Sequence, residues 1–259
     1  MNSFNKEKHE YLINGTPATG VTSVIGVLAK PALIQWAANE AIKYVTNQAI
    51  PYYGPDDNGD ALEDHYIIIG ADLQNGRTAH AKKKDKAATH GIDTHALVEN
   101  WVGLCLKNND GKPIPLEGET LVASPIEKFI LWANDSVSQF LFSERQMYNE
   151  EMFIAGTADF GAIMKDGKKL IGDFKTSSGV YGIDYFLQCA GYKVLAEGEG
   201  DEPYDGCVIV RLGKDGSFDV YYSYDSRIEE EAFRACLTIY RAQATFKEFK
   251  ELPEGVKQK

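Results

Sequence analysis

Two apolar runs, Met152–Met164 and Lys169–Thr176, flank the tetrapeptide Lys165-Asp166-Gly167-Lys168. Asp-Gly between apolar runs signals a β-hairpin, because the tight turns that join antiparallel strands need positive φ at their centre. Three charged residues interrupt these runs: Asp159 in the first, Asp173 and Lys175 in the second. Asp173 and Lys175 are two apart, so they leave the same face of one strand. A simple hairpin register brings Asp159, on the partner strand, close to Asp173. Two carboxylates and an ammonium on a mostly apolar sheet are costly unless they pair with one another or hold a cation.

The chemistry that suits this triplet is phosphodiester hydrolysis. Aspartate oxygens are hard ligands for Mg²⁺ or Mn²⁺, and Mg²⁺ is commonly held by one or two carboxylates together with phosphate oxygen and water. Such a metal polarises the phosphate and acidifies a bound water, and a neighbouring lysine orients that water or neutralises developing charge. The competing reading is a structural Asp–Lys ion pair on a half-exposed sheet.

Four short patterns follow one another in order: Gly91-Ile92-Asp93-Thr94-His95, Gly156-x-x-Asp159, Asp173-Phe174-Lys175 and Gln188-x-x-x-Tyr192. Together they resemble the PD-(D/E)XK nuclease superfamily, specifically its RecB-like exonuclease group, whose pattern runs GxxxH, GxxD, DxK, QxxxY. The resemblance implies a restriction-endonuclease-like core in which His95, Asp159 and Asp173 ligate Mg²⁺ or Mn²⁺, the Phe174 carbonyl assists, and Lys175 is catalytic. It also implies that the Gln188/Tyr192 edge meets DNA, and that Glu144, on the strand before the hairpin, stands beside the metal. Val21-Thr22-Ser23-Val24 and the run from Lys30-Pro31 to Trp36 resemble the start of phage-encoded members. Some members carry a four-cysteine iron–sulfur cluster. Here Cys105, Cys189, Cys207 and Cys236 are far apart and lack the clustered C-terminal cysteines, so no cluster is expected, nor zinc or disulfides.

The formal net charge of −11 speaks against nucleic acid at first sight. Phosphate binding, however, depends on local patches. Arg77, Lys82, Lys83, Lys84 and Lys86 stand against Asp85 alone, a local +4, and Lys82, Lys83 and Lys84 are its candidate DNA contacts. The alternative is a solvated helix face. No apolar run follows the charged start MNSFNKEKHE, and no stretch approaches the roughly 18 apolar residues of a membrane span. A cytoplasmic protein with no membrane association is therefore expected.

Periodicity and punctuation predict the remaining elements. Tyr11-Leu12-Ile13 before Asn14-Gly15 suggests an N-terminal hairpin. Thr22 or Ser23 is a candidate cap for a short helix to Leu28. Pro31 suits the first turn of a helix to about Gln48, with Leu33, Trp36, Ala37, Ala41, Tyr44 and Val45 as its apolar stripe. The acidic, Pro- and Gly-rich segment 51–64 reads as a loop. A helix is predicted over 71–106 with a break near Gly91, carrying Leu97, Val98, Trp101, Val102 and Cys105 on one stripe and His95 and Glu99 one turn apart on the neighbouring face. His90 lies five residues before His95, about 140° around a helix, so the two do not serve one metal.

Beyond the loop 107–115, the pattern predicts a helix over 124–142, a strand over 143–149, a helix over 184–197, strands over 204–212 and 218–224, and a closing helix over 226–249. Gln188 and Tyr192 are i and i+4, about 40° apart on that helix.

The expected whole is one α/β domain: a mainly helical region over 1–142, a central mixed sheet flanked by helices over 143–225, and a C-terminal helix and tail over 226–259. Its expected function is metal-dependent deoxyribonuclease action, an exonuclease in recombination, repair or phage DNA processing, with a recombination or replication protein as a further partner. Three alternatives stay open at this level: a non-cleaving nucleic-acid-binding accessory module, a structure-specific endonuclease, and a hydrolase of small phosphoesters.

Overall fold

The structure, a computed structural model, describes residues 1–28, 30–51, 66–67, 70–116, 124–177, 179–180 and 182–248, with the backbone alone at 31–32, 50–51, 66–67, 70, 72 and 83–93. In chain order these form β1 (Ser3–Asn5), β2 (Glu10–Ile13), β3 (Thr16–Pro17), β4 (Thr19–Gly20), α1 (Val21–Ile25), α2 (Pro31–Gln48), β5 (Ile50–Pro51), β6 (Tyr66–Ile67), α3 (Gly70–Asn108), α4 (Pro125–Ser136), β7 (Val137–Asn149), β8 (Ile154–Met164), β9 (Lys169–Lys175), α5 (Asp184–Gly198), β10 (Gly206–Leu212), β11 (Phe218–Tyr224) and α6 (Arg227–Glu248). The backbone divides into two compact units, Met1–Leu28 with Asp93–Lys259, and Ala29–Ile92.

In the first unit a mixed sheet runs in the order β11-β10-β9-β8, with β7 and β4 also paired to β8. β8 and β9 are the hairpin anticipated from Asp166-Gly167, closed by the Gly167 N–H donating to the Met164 carbonyl at 3.0 Å. β9 and β10 are parallel, and such a pair needs a long crossover, which α5 supplies. Side chains alternate between the two faces as strands require. Ile171, Cys207 and Ile209 pack under α1, α5 and α6, together with Leu187, Leu195 and Phe233. Leu170, Phe174, Val208 and Val210 pack under α4 and the last turns of α3, through Phe129, Ile130, Val98 and Val102. The result is an α/β fold with helices on both faces of a mixed sheet.

The sheet is not continuous across β8. Recorded pairing with β9 ends at Phe160↔Gly172, and pairing with β4 covers only Ile154 and Ala155. Between them, along Gly156–Asp159, that edge of β8 lacks a ladder partner among the described residues. The hairpin register places Asp159 opposite Asp173, one step past the last paired residues.

Three expectations are corrected. The helix predicted over 124–142 stops at Ser136, and 137–142 belong to β7. Val137 and Phe140 are both buried, and their spacing of three imitates a helix. It arises from register shifts between Val137 and Gln139 and between Phe140 and Phe142, each inserting an extra residue into the period of two. Neither Thr22 nor Ser23 caps α1; Gly20 precedes it, with no side-chain cap. α3 is one helical element from Gly70 to Asn108 rather than two broken at Gly91.

The N-terminal hairpin, β2 with β3, acquires a further strand, β1, and its Asn14-Gly15 turn has φ of 51° and 82°. Two successive positive φ values are what a two-residue turn of this hand demands, and Asn and Gly tolerate them best.

In the second unit, Gly76 of α3 lies so near α2 that a Cβ there would stand 2.7 Å from the Val45 side chain. Trp36 and His80 meet edge to face at 6.4 Å. Trp36, Ala37, Ala41, Tyr44 and Val45 are half-buried, as their stripe suggested, whereas Leu33 is exposed. Residues 52–64 of the acidic segment lie outside the described residues.

Candidate functional site

The opening in the sheet is where the motif residues meet. β9 turns both the N–H and the C=O of Phe174 toward the gap, and the gap has no strand to receive them. The Asp159 carboxylate accepts the Phe174 N–H at 2.6 Å. His95 Nε2, from α3, lies 3.0 Å from the Phe174 carbonyl oxygen. The Phe174 ring anchors this arrangement from the opposite face, stacked on Phe160 at 4.8 Å and edge-on to Phe129 at 5.3 Å.

Asp173 and Lys175 project together on the α5 side of β9. The Lys175 ammonium pairs with Asp173 Oδ2, donates to Gln188 Oε1 at 3.2 Å, and sits 5.1 Å from the Tyr185 ring centre. Gln188 Nε2 donates to the Tyr192 hydroxyl at 2.7 Å. Asp173, Lys175, Gln188 and Tyr192 are therefore one connected chain of polar contacts. It also contains the Asp–Lys ion pair that the structural reading anticipated.

Glu144 stands on β7 opposite Asp159, between the recorded pairs Ser143↔Phe160 and Arg145↔Ala158. Its φ is 50°, a left-handed backbone in mid-strand that costs about 1–3 kcal/mol and calls for surrounding structure to enforce it. Glu99, on α3 one turn after His95, reaches the same place: it stands close enough to Glu144 to crowd its carboxyl, and Glu144 faces Asp159 in turn. Glu99 Oε1 is 3.8 Å from His95 Nδ1.

Burial and crowding of like charges perturb these groups. Burial first, then Asp173, raise the Asp159 carboxyl well above the usual carboxylate range, against the pull of Lys175. Glu144 is exposed as a residue, but its carboxyl is shielded by the protein and faces Glu99, and it is pushed up to about 7. Burial works to lower Lys175, but the charges of Asp173 and Asp159 outweigh it and the ammonium is held more firmly than usual. Tyr192 is raised, by burial and then by Asp173.

Of these residues Asp159, Glu144, Glu99 and Tyr192 border a cleft of about 230 Å³, which is also lined by His9, Tyr11, Val21, Thr22, His95, Gly156 and Thr157. Glu99 was within reach of the sequence, one helical turn from His95. His9, Tyr11 and Thr22 were not, because the N-terminal segment reaches the cleft through the two-residue strand β4, paired parallel to β8, and through the Tyr11–Thr157 contact.

The donor set is two buried aspartates, an imidazole and a backbone carbonyl, and its chemistry fits Mn²⁺ or Mg²⁺. Asp173 Oδ2 is buried and completed by no ordinary hydrogen bond beyond its ion pair, which leaves it a carboxylate oxygen with coordination to spare. Among the described residues no group of three His, Cys, Asp or Glu is already gathered tightly enough to hold a metal ion. The carboxylates instead turn to Lys175, to the Phe174 N–H and to each other. All four cysteines are buried and free.

Lys82 is exposed on α3, in the second unit; the side chains of Lys83 and Lys84 lie outside the described residues. No helix among the described residues is long and apolar enough to cross a membrane.

No family model matches the chain. No curated protein matches it either. Among solved structures it is similar to one described as "Crystal structure of SSO0001", with a TM-score of 0.36 and 13% identity over 82% of this chain and 86% of that one, a likeness too slight to carry an argument.

Proposed function

We propose that this protein is a Mg²⁺- or Mn²⁺-dependent nuclease that hydrolyses DNA phosphodiester bonds. The observation that carries the reading is the convergence at one break in the sheet of His95, Asp159, Asp173, Lys175, Gln188 and Tyr192. They come from four separate motifs and three elements besides α3.

Asp159, Asp173, His95 and the Phe174 carbonyl would hold the cation. When bound, it supplies charge against the scissile phosphate and a more acidic water. Asp159 fixes the Phe174 peptide, and so the direction in which that carbonyl points. Lys175, held by Asp173 and Gln188, presents an ammonium proton to the attacking water or to the phosphate oxygens. Tyr192 restrains Gln188 and thereby the Lys175 head group. Glu144 and Glu99 surround the acidic end of the cleft.

A simple Asp–Lys ion pair explains Lys175 and Asp173. It does not explain why Asp159, Glu144 and Glu99 crowd the same cleft at the expense of a raised carboxyl and a left-handed mid-strand residue. An exonuclease, as the motif order suggests, is preferred over an endonuclease. The test is a time course with end-labelled linear and circular DNA, single- and double-stranded, in Mn²⁺, Mg²⁺ or chelator. The expected result is cation-dependent loss of linear DNA with circles spared. Cleaved circles would shift the reading to an endonuclease, and intact DNA in every condition would overturn it.

A further inference from the structure

The cleft is lined by two chemically different sets of side chains. Glu99, Glu144 and Asp159 are acids. His9, Tyr11, Thr22 and Thr157 are an imidazole and three hydroxyls. A phosphate approaching the acids needs a cation between, whereas the second set can donate hydrogen bonds to phosphate oxygens directly.

This second set is attached firmly to the strand that carries Asp159. Tyr11 is buried, and its hydroxyl lies 2.9 Å from Thr157 Oγ1 on β8, two residues before Asp159. β4 continues the same wall by pairing with Ile154 and Ala155. His9 lies just before β2, with a left-handed φ of 49° that turns the chain between β1 and β2. Its ring is held by packing: edge to face on Phe4 at 5.1 Å and on Tyr11 at 6.4 Å. Among the described residues neither ring nitrogen makes a hydrogen bond. His9 is exposed, so its imidazole, oriented by these aromatic contacts, stands at the mouth of the cleft where a ligand arriving from solvent meets it.

We propose that His9, with Tyr11, Thr22 and Thr157, forms a subsite for the phosphodiester next to the scissile one, His9 donating a ring N–H to a non-bridging oxygen. The proposal rests on the nuclease reading and deepens it. A second phosphate position selects a polynucleotide over a small phosphoester, which has only one phosphate to offer. The N-terminal sheet is then part of the substrate site and not merely a cover for the core.

The experiment compares a single-stranded oligonucleotide with bis(4-nitrophenyl) phosphate, which has a single phosphate, as substrates in Mn²⁺. kcat and KM are measured for wild type, His9→Ala and His9→Asn, and thermal melting checks that each variant folds. In His9→Ala the ratio of kcat/KM for the oligonucleotide to that for bis(4-nitrophenyl) phosphate should fall about tenfold, mainly through KM, as loss of one hydrogen bond to a charged group entails. His9→Asn keeps an N–H donor and should recover part of the loss. An unchanged ratio in His9→Ala would overturn the subsite and leave the nuclease reading standing. A wild type that hydrolyses bis(4-nitrophenyl) phosphate but no oligonucleotide would also overturn it. A wild type that hydrolyses neither would remove the reading beneath it.

Discussion

The ring of Tyr192 occupies the space that a side chain on Gly156 would need: a Cβ built there stands 2.8 Å from Tyr192 Cε1 and 3.1 Å from a methyl of Val21. The glycine of Gly156-x-x-Asp159 and the tyrosine of Gln188-x-x-x-Tyr192 are thus two halves of one contact. α5 can lie close enough to β8 for Gln188 to reach Lys175 only because Gly156 is bare. Gly156→Ala should destabilise the fold by about 1–3 kcal/mol, the range for overpacking a tight interior. Gly156→Ala combined with Tyr192→Ala should cost less than the two changes summed, by at least about 0.5 kcal/mol, since each relieves the other. Denaturant titration of the three variants measures this; strict additivity would mean that α5 shifts freely.

The acidic cluster makes stability pH-dependent in a particular direction. Glu144 is raised in the folded protein from 4.5 to about 7. Its contribution is fully present below the unfolded value and is lost as pH rises through the folded one, since over that window the folded state binds more protons. In chelator, wild type should therefore lose melting temperature between about pH 4.5 and 7 relative to Glu144→Gln, which cannot titrate. Asp159, raised in the same sense, should behave likewise in Asp159→Asn. Parallel melting curves for wild type and Glu144→Gln across that window would show that Glu144 does not feel its neighbours.

His95 brings a ring nitrogen to within 3.0 Å of Phe174 O. Imidazole favours Mn²⁺ over Mg²⁺ more than carboxylate does. His95→Ala should weaken Mn²⁺ binding at least tenfold and reduce Mn²⁺-supported cleavage more than Mg²⁺-supported cleavage, while His90→Ala should leave both alone. Calorimetric titration with Mn²⁺ checks it, and equal losses at His90 and His95 would contradict the assignment.

The basic run tests how a protein of charge −11 holds DNA. Each lysine–phosphate contact releases counterions and adds roughly 0.7 to the salt slope on single strands. Replacing Lys82, Lys83 and Lys84 with Ala should lower affinity for all sequences alike and flatten that slope by about two. An unchanged slope would make the run a solvated face and move the DNA track elsewhere.

Much of the architecture is legible in the sequence, for physical reasons. The hairpin of β8 and β9, the crossover helix α5 and the closing helix α6 announce themselves through period and turn chemistry. The start of β7 did not, because its register shifts imitate helical spacing at Val137 and Phe140. Asp173 with Lys175, and Gln188 with Tyr192, were readable as two pairs because strand and helix geometry sets the relative directions within each; only the resemblance brought the two pairs together. His9 and Thr22 could not be found this way. Their placement depends on β4, a strand too short to have a period. Glu144 was visible as a residue, but nothing local to it forecasts a φ of 50° or the crowding of its carboxyl by Glu99.

Asp173 and Lys175 share one strand face and one ion pair, yet the account gives them different work, and measuring both Mn²⁺ binding and DNA cleavage for their alanine variants separates the two. Asp173→Ala should lose Mn²⁺ binding and cleavage together. Lys175→Ala should retain Mn²⁺ and lose most of the turnover. Cleavage at the wild-type rate by either variant would contradict the central claim that this break in the sheet is a metal-dependent nuclease site.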